Sequence, residues 1–454
     1  MSLQIEPQNQ ATPGKPKDEQ QQDDWDLKEE QPLPLQQDAF GNEDNAEVKY
    51  KVLTWWQGGF LMVAETVSLG ILSLPKAIAS LGLVPGIIIL IGMGAIATYT
   101  GYLIGQYKIK HPHITSMADA GGVLLGPIGQ EIVGVAQLLL LVFIMASHIV
   151  VFTSAMNTLT GHATCSIVFG VVGLIISCIL SLPRKLINLS WLSIVSFISI
   201  LIAVIITMIA VGVKNDASGV HATVDTDLVS GFTAAANIVL SYASHNSFFT
   251  FIAELKDPRD FNKSLALLQI IDISLYVISG VVIYRYVGVD VASPALGSTT
   301  PLISKIAYGV ALPTIIIAGV MNGHIAAKAI YLRVFAGTDR IHKRDFIAIG
   351  SWISISFAFW ILAWIIASAI PVFNTLLSLM ASLFASWFTF TLPALFWIQM
   401  NRHQLFSSPR KCLLLALNCF IVVIGLVLCG LGTYTSAKAI HDDNGSGSFS
   451  CDAT

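Results

Sequence analysis

Charged residues are scarce in this chain of 454 residues. Asp, Glu, Lys and Arg together make up 12% of the sequence, whereas apolar residues make up 54% and the mean hydropathy is +0.71. A soluble globular protein carries about a quarter charged residues. The composition therefore excludes a water-soluble globular fold, because the polar surface that such a fold needs is missing.

Sequence motifs of enzymes and metal sites are absent as well. The chain contains no HExxH zinc motif, no GxSxG nucleophile motif and no Gly-rich phosphate or dinucleotide loop. Its six cysteines include no CxxC pair and no Cys/His spacing of a metal site. The sequence therefore predicts no enzyme activity, no metal, no cofactor and no nucleic-acid partner.

The first 50 residues differ in composition from the rest. They contain twelve acidic residues and four lysines, a net charge of −8, so the remaining chain carries +5. The segment is rich in Gln and Pro and has almost no apolar surface to offset the entropy of ordering. It also lacks the basic start and apolar run of a signal peptide. Residues 1–50 are predicted to be a disordered acidic cytoplasmic tail, serving either as a plain solvated leader or in trafficking control.

Eleven apolar segments are long enough to cross a membrane. A hydrocarbon core of about 30 Å needs roughly 20 apolar residues per helix. Runs of this kind lie at 52–80, 84–106, 129–159, 165–182, 187–213, 228–254, 264–287, 304–332, 345–369, 371–399 and 411–434. The chain is predicted to be an all-α polytopic membrane protein, with eleven transmembrane helices in a transmembrane domain over residues 51–434.

Loop charges predict the orientation. With a cytoplasmic N-terminus, sixteen Lys and Arg residues fall on the cytoplasmic side and five on the opposite side, as the positive-inside rule requires. Residues 435–454 then form a short non-cytoplasmic tail. Asn444 begins an N-glycosylation sequon there, and Cys451 lies on the same side as Cys165; an unmodified tail with free thiols is the alternative. Lys328, near a cytoplasmic helix end, is expected to snorkel to the headgroups.

Helix 1 carries polar and helix-breaking residues at membrane depth. Its sequence TWWQGGFLMVAETVSLGILSLPKAIASLG contains Thr66, Ser68, Gly70 and Pro75. Pro removes a backbone donor, and Gly tolerates departures from helical geometry. These residues predict a break near 67–71, where helix-end amides would hold a carboxylate. A simple proline kink is the alternative.

Helix 6 carries a polar cluster in mid-membrane, five spans after helix 1. The consecutive residues are Ser241, Tyr242, Ala243, Ser244, His245, Asn246 and Ser247. Such a cluster is costly unless it faces a cavity, so helix 6 is also predicted to be interrupted, from polarity alone. Two interrupted helices of opposite direction predict two inverted five-helix repeats, 52–213 and 228–399, followed by one extra helix at 411–434.

The motifs in these helices resemble a known family. GGFLMVAETVSLGILSLPKAIASLGLVPG in helices 1 and 2 and SYASHNSFFTFIAELKDP in helix 6 are similar to the amino acid/auxin permease family, and within it to fungal neutral amino acid permeases of the methyltryptophan-resistance type. The resemblance implies a leucine-transporter-like fold and uptake of neutral aliphatic or aromatic amino acids by proton symport through alternating access. It implies substrate-binding residues at Thr66, Ser68, Leu69, Gly70 and Ile71 in helix 1 and at Tyr242, Ala243, Ser244 and His245 in helix 6.

Ionisable and polar residues near the predicted breaks are candidates for ion coupling. An ionised carboxylate in hydrocarbon pairs, binds an ion or takes up a proton, and Glu65 directly precedes the helix 1 break. His245 is suited to proton transfer near neutral pH. For both residues, a structural hydrogen-bonding role is the alternative. Asn322 and His324 in helix 8 are expected to face the helix 1 break, and Asp272 in helix 7 and His148 in helix 3 are further candidates.

Three points stay open from the sequence. Sodium is the less favoured alternative to the proton as the coupled ion. The resemblance favours the plasma membrane, but a vacuolar exporter would carry the same motifs. An amino acid sensor with a transporter fold would also carry the same site.

Overall fold

The computed structural model of the chain describes residues 49–184, 186–214, 219–341, 345–442 and 448–451. The predictions for the N-terminal tail and for Asn444 lie outside the described residues. Within these ranges the fold is all-α, apart from one β-bridge between Leu53 and Leu255. The described helices are α1 Trp55–Leu81, α2 Leu83–Lys110, α3 Met117–Thr160, α4 Ser166–Leu180, α5 Leu186–Lys214, α6 Leu228–Ser241, α7 His245–Glu254, α8 Phe261–Val287, α9 Pro301–Val334, α10 Phe346–Ala369, α11 Phe373–Met380, α12 Leu392–Met400 and α13 Pro409–Asp442.

Short irregular helices connect some of these elements. A π-helical segment, Ala381–Thr391, joins α11 to α12. Short 3₁₀ helices lie at Pro258–Asp260, Ala295–Ser298 and Asp339–Ile341.

Most helices have the length and composition of membrane spans. In the described part of the chain, nine helical stretches are long and apolar enough to cross a membrane, and α4 is shorter at 15 residues. Large apolar side chains such as Ile128 and Val213 are exposed on the outer surface, as expected for helices that contact lipid. By contrast, α1 is enclosed by α5, α6, α8 and α9 over almost its whole length.

α1 is an uninterrupted α-helix, so the predicted break near residues 67–71 is wrong. Pro75 lies inside the helix. The Thr66 hydroxyl donates to a carbonyl one turn earlier, at 2.7 Å, and the Ser73 hydroxyl donates to the Gly70 carbonyl at 3.0 Å. Pro75 removes one backbone donor, the N–H that would bond to the carbonyl four residues earlier. The helix nevertheless continues across Pro75 without unwinding.

The predicted interruption of helix 6 is confirmed. α6 ends at Ser241, α7 begins at His245, and residues 242–244 form a non-helical link. The N–H groups of residues 242 and 243 donate to carbonyls three residues earlier, which tightens the end of α6. The Tyr276 hydroxyl of α8 donates to the Ser241 carbonyl at 2.8 Å. A side chain from a distant helix therefore supplies a partner that the helix itself loses.

α3 is longer than predicted. It begins at Met117 rather than at residue 129 and bends at Gly126, whose φ of 73° places it in the left-handed region that favours glycine. Pro127 follows directly and favours the restart of the helix. Ser116 caps the start of α3 by accepting from the Asp119 N–H.

A disulfide joins Cys165, which precedes α4, to Cys451 near the C-terminus. The Phe449 N–H donates to the Ser368 carbonyl at 2.9 Å. Residues 448–451 therefore lie across the ends of α4 and α10. Of the two alternatives for these cysteines, the structure has the paired one.

Gly70 lies where α1 crosses the end of α6. A Cβ atom at Gly70 would lie 2.8 Å from the Ser241 Cβ and 2.9 Å from the Ser241 Cα. The two helices can approach this closely only because residue 70 has no side chain.

Replacing Cys451 by Ser is expected to lower the thermal unfolding midpoint in detergent by several degrees. A cross-link between residues separated by 286 positions restrains the unfolded chain, and disulfides typically stabilise by about 2–4 kcal/mol. Cys412→Ser, which changes an exposed free cysteine, is the matched control. A reductant should lower the midpoint of the wild type but not that of Cys451→Ser; equal midpoints for the oxidised wild type and the variant would contradict the cross-link.

Gly70→Ala is expected to destabilise the protein by about 1–3 kcal/mol, because the added methyl group meets the backbone of Ser241. Gly92→Ala on α2 is the matched control, since a Cβ there meets nothing within 4 Å. The control should be neutral or slightly stabilising. Thermal unfolding of both variants in the same detergent checks this, and a Gly70→Ala midpoint equal to that of the control would show that the contact is loose.

Candidate functional site

The link at residues 242–244 lies in the interior of the helix bundle, against α1. The Ser247 hydroxyl of α7 donates to the Glu65 carboxylate of α1 at 2.7 Å, and both side chains are buried. The Tyr276 hydroxyl, which contacts the Ser241 carbonyl, also lies 3.1 Å from the Thr66 carbonyl. The structure therefore brings residues 65–70 of α1 beside the interrupted helix.

Several buried polar atoms around the link have no hydrogen-bond partner within the described part of the chain. They include Glu65 Oε2, Ser68 Oγ, Tyr242 Oη and Ser244 Oγ. Because most buried polar groups in proteins are hydrogen-bonded, a group of such atoms beside an interrupted membrane helix marks a candidate ligand site.

The two halves of the interrupted helix present opposite partial charges at the link. α6 ends at the link, and the last turn of a helix carries a partial negative charge. α7 begins at the link, and the first turn of a helix carries a partial positive charge and donors for an anion. The link is therefore suited to a small ligand that carries one cationic and one anionic group.

A cavity of about 610 Å³ lies between α3, α7 and α9 at one end of the bundle. Its lining includes Gln137 of α3, Thr250 of α7, and Lys328 and Arg333 of α9. The Gln137 side-chain amide donates to the Asn246 carbonyl in the first turn of α7 at 2.7 Å. The cavity therefore leads toward the link.

His245 faces α2 rather than α1. Its Nε2 atom lies 2.9 Å from the Ala97 carbonyl and 3.1 Å from the Thr100 hydroxyl. Its ring also lies against Phe248, with 4.6 Å between ring centroids. This setting matches the structural alternative for His245.

Asn322 and His324 do not come together at the link. The His324 ring packs against Trp352 of α10, with 5.2 Å between ring centroids, and the Asn322 amide donates to the Ala318 carbonyl of its own helix. Residues two positions apart are about 200° apart around a helix, so these two side chains cannot share one face. The expectation that both face a break in helix 1 is wrong, because α1 has no break.

Lys328 does not reach the lipid headgroups, so the expected snorkelling is wrong. The side chain is 3% exposed, forms an ion pair with Glu254 at the end of α7, and lies 4.4 Å from the centroid of the Tyr50 ring. The Leu53 N–H donates to the Glu254 carbonyl at 3.0 Å. Lys328 therefore belongs to a buried cluster that ties α7 and α9 to the segment before α1.

Tyr276 is the residue at this site that sequence reasoning missed. Asp272 and Tyr276 stand four positions apart in α8, which places both on one face of a largely apolar helix. This spacing was the available signal. It could not show that the face points at the link.

Sequence comparison identifies the family. The family described as "Transmembrane amino acid transporter protein" matches residues 51–438. A Neurospora crassa "N amino acid transport system protein" is 38% identical over 405 residues, covering 87% of this chain and 86% of that protein. A Gibberella moniliformis "Transmembrane transporter" is 30% identical over 437 residues, covering 91% and 92%. An Arabidopsis thaliana amino acid transporter is 25% identical over 386 residues, covering 82% and 67%.

Solved structures of transporters share the fold. A Na⁺-coupled sialic acid symporter in a substrate-bound outward-open state has a TM-score of 0.54 at 13% identity, covering 86% of this chain and 91% of that chain. Mhp1, a nucleobase-cation-symport-1 family transporter in a closed conformation, has a TM-score of 0.54 at 14% identity, covering 88% and 95%. With the family match and the apolar helices, these likenesses lead to one conclusion: the chain is a multi-pass membrane protein of the transmembrane amino acid transporter family, and not an enzyme.

Proposed function

We propose that this protein is a secondary active transporter that takes up neutral amino acids with protons by alternating access. The observation that carries the proposal is the interruption between α6 and α7 beside α1. An amino acid zwitterion has a carboxylate and an ammonium group, which complement the start of α7 and the end of α6, respectively. The Neurospora relative, named as an amino acid transport protein, supports the substrate class.

The proposed substrate site lies between the link and α1. Because α1 is continuous, its amides at residues 68–71 bond within the helix, so we assign the carboxylate to the start of α7. Tyr242, Ala243 and Ser244 then surround the amino group and side chain, whereas His245 contributes only its backbone because its side chain faces α2. α1 provides the opposite wall through Ser68 and Leu69, which share the helix face of Glu65, with the Ser68 hydroxyl directed at the substrate. Because α1 is continuous, Thr66, Gly70 and Ile71 point to its other faces.

We propose eleven spans: the nine long stretches, α4, and α6 with α7 as one interrupted span. α1–α5 form one five-span repeat, α6–α12 form the inverted repeat, and α13 is the extra span. The fold likeness to transporters supports this arrangement.

We propose that the N-terminus lies in the cytoplasm and the C-terminus outside. The disulfide between Cys165 and Cys451 supports this orientation, because disulfides persist in oxidising compartments. The plasma membrane is the proposed location.

Uptake in proteoliposomes tests the proposal. The purified protein should accumulate radiolabelled neutral amino acids when the outside is acidic, and a protonophore should abolish the accumulation. Protein-free liposomes and charged amino acids serve as controls. Accumulation that follows a sodium gradient and ignores pH would contradict proton coupling. Binding without accumulation under either gradient would indicate a sensor.

Glu65→Gln is expected to preserve substrate exchange at equal pH and to lower gradient-driven accumulation several-fold. The amide keeps an oxygen acceptor for Ser247, whereas it cannot take up a proton. Glu131→Gln is the matched control, because Glu131 is exposed and its ion pair with Arg333 is at the surface. Unchanged accumulation in Glu65→Gln, measured beside the control in the same vesicles, would assign Glu65 a structural role.

A further inference from the structure

Asp272 is a buried carboxyl group that the proposed substrate site does not use. It lies in α8, which packs against α1, α2 and α5, and the residue is fully buried. Neither carboxyl oxygen has a hydrogen-bond partner in the described ranges. An ionised carboxylate in such a setting is very unfavourable. The group is therefore neutral and protonated unless a cation accompanies it.

Tyr242 connects Asp272 to the link. A Cβ atom placed on Gly94 of α2 would lie 2.9 Å from Ile273 Cγ1 and 3.0 Å from the Tyr242 hydroxyl oxygen. The Tyr242 hydroxyl therefore lies between α2 and α8, where it interacts electrostatically with the Asp272 carboxyl group. It too lacks a hydrogen-bond partner among the described residues. The rings of Tyr242 and Tyr276 are in contact, with 5.4 Å between centroids.

The other titratable groups around Asp272 are engaged elsewhere or stand at helix ends. On α1, Glu65 accepts from α7, and Lys76 contacts the loop after α8. On α2, the Tyr99 hydroxyl accepts from α13. Lys214 is at the end of α5, and His245 lies 2.9 Å from a carbonyl of α2. Among the described residues, Tyr242 and Tyr276 therefore lie beside Asp272. No positively charged side chain of the described residues lies beside it.

We propose that Asp272 is a proton-binding carboxyl group of the transport cycle, coupled to the substrate site through Tyr242. The inference rests on the proposed function. The proton comes from the outer solution, binds a carboxyl oxygen of Asp272 and leaves to the cytosol, and no other bond is made or broken. A neutral Asp272 removes the repulsion that an ionised carboxylate would exert on the substrate carboxylate at the nearby link.

Movement of the link provides the coupling. The Tyr276 hydroxyl, one turn from Asp272, lies 2.8 Å from the Ser241 carbonyl and 3.1 Å from the Thr66 carbonyl. A change at the link during alternating access therefore moves Tyr242 and Tyr276 relative to Asp272. This alters the surroundings of the carboxyl group when the substrate binds or leaves. A proton needs only one acceptor oxygen, which Asp272 itself supplies.

A thermodynamic measurement tests the assignment. In proteoliposomes with the membrane potential held at zero, each coupled proton raises the limiting accumulation about tenfold per pH unit of gradient. The logarithm of accumulation plotted against the pH gradient thus has a slope equal to the number of coupled protons. Asp272→Asn is expected to lower this slope by one relative to the wild type, while substrate exchange at equal pH is retained.

Two further variants are measured in the same way. Asp290→Asn is the matched control, because it makes the same chemical change at an exposed position just after α8, and it should keep the wild-type slope. Asp272→Glu restores a carboxyl group and should keep the wild-type slope too. A structural role for Asp272 would change the rate of exchange but not the slope.

The outcomes separate the inference from the proposed function. A wild-type slope of zero would contradict proton symport itself. A wild-type slope that Asp272→Asn retains would overturn only the assignment of Asp272. If Asp272→Asn lacks exchange activity, two other measurements test the assignment of Asp272. They are the slope of Asp272→Glu and the labelling of the wild type by a hydrophobic carbodiimide, which reacts with protonated carboxyl groups. An adduct on Asp272 that is lost as pH rises supports the proposal; no adduct at any pH overturns it.

Discussion

Every backbone N–H and C=O group inside a bilayer needs a partner in the protein, because hydrocarbon offers none. The non-helical link at residues 242–244 is where this protein meets that constraint with side chains rather than with regular helix. Tyr276 reaches from α8 to the Ser241 carbonyl at the end of α6 and to the Thr66 carbonyl of α1. One hydroxyl group therefore holds three helices around the interruption, and the candidate site depends on this arrangement.

The enclosure of α1 follows from the same arrangement. Gly70 allows α1 to approach α6 closely, and the Ser247 hydroxyl ties α7 to Glu65. At one end of the bundle, the buried pair of Lys328 and Glu254 joins α9 to α7. Removing one partner of such a pair is costly, because the other charge is left buried. Both halves of the interrupted helix are thus anchored to neighbours, which is the condition for keeping an open link at membrane depth.

Comparison of helices 1 and 6 shows the limits of local sequence rules. Helix 1 contains Gly70 and Pro75, which predict a break, yet it is continuous and enclosed by other helices. Helix 6 lacks both residue types at its link, yet it is interrupted. Propensity describes a residue's effect on its own helix. Whether a carbonyl finds another partner depends on residues such as Tyr276, which are distant in sequence.

The sequence by itself determined the class of this protein, the positions of its apolar helices and its family, because these follow from composition, run length and local motifs. It also identified the polar segment of helix 6, since such a cluster is costly in lipid. Only the tertiary structure decided that α1 stays helical, that His245 faces α2, that Lys328 is paired in the interior, and that Asp272 lies beside Tyr242. The physical reason is that each of these depends on which side chains from other helices stand opposite. That information lies in the packing of the bundle and not in the order of residues along one helix.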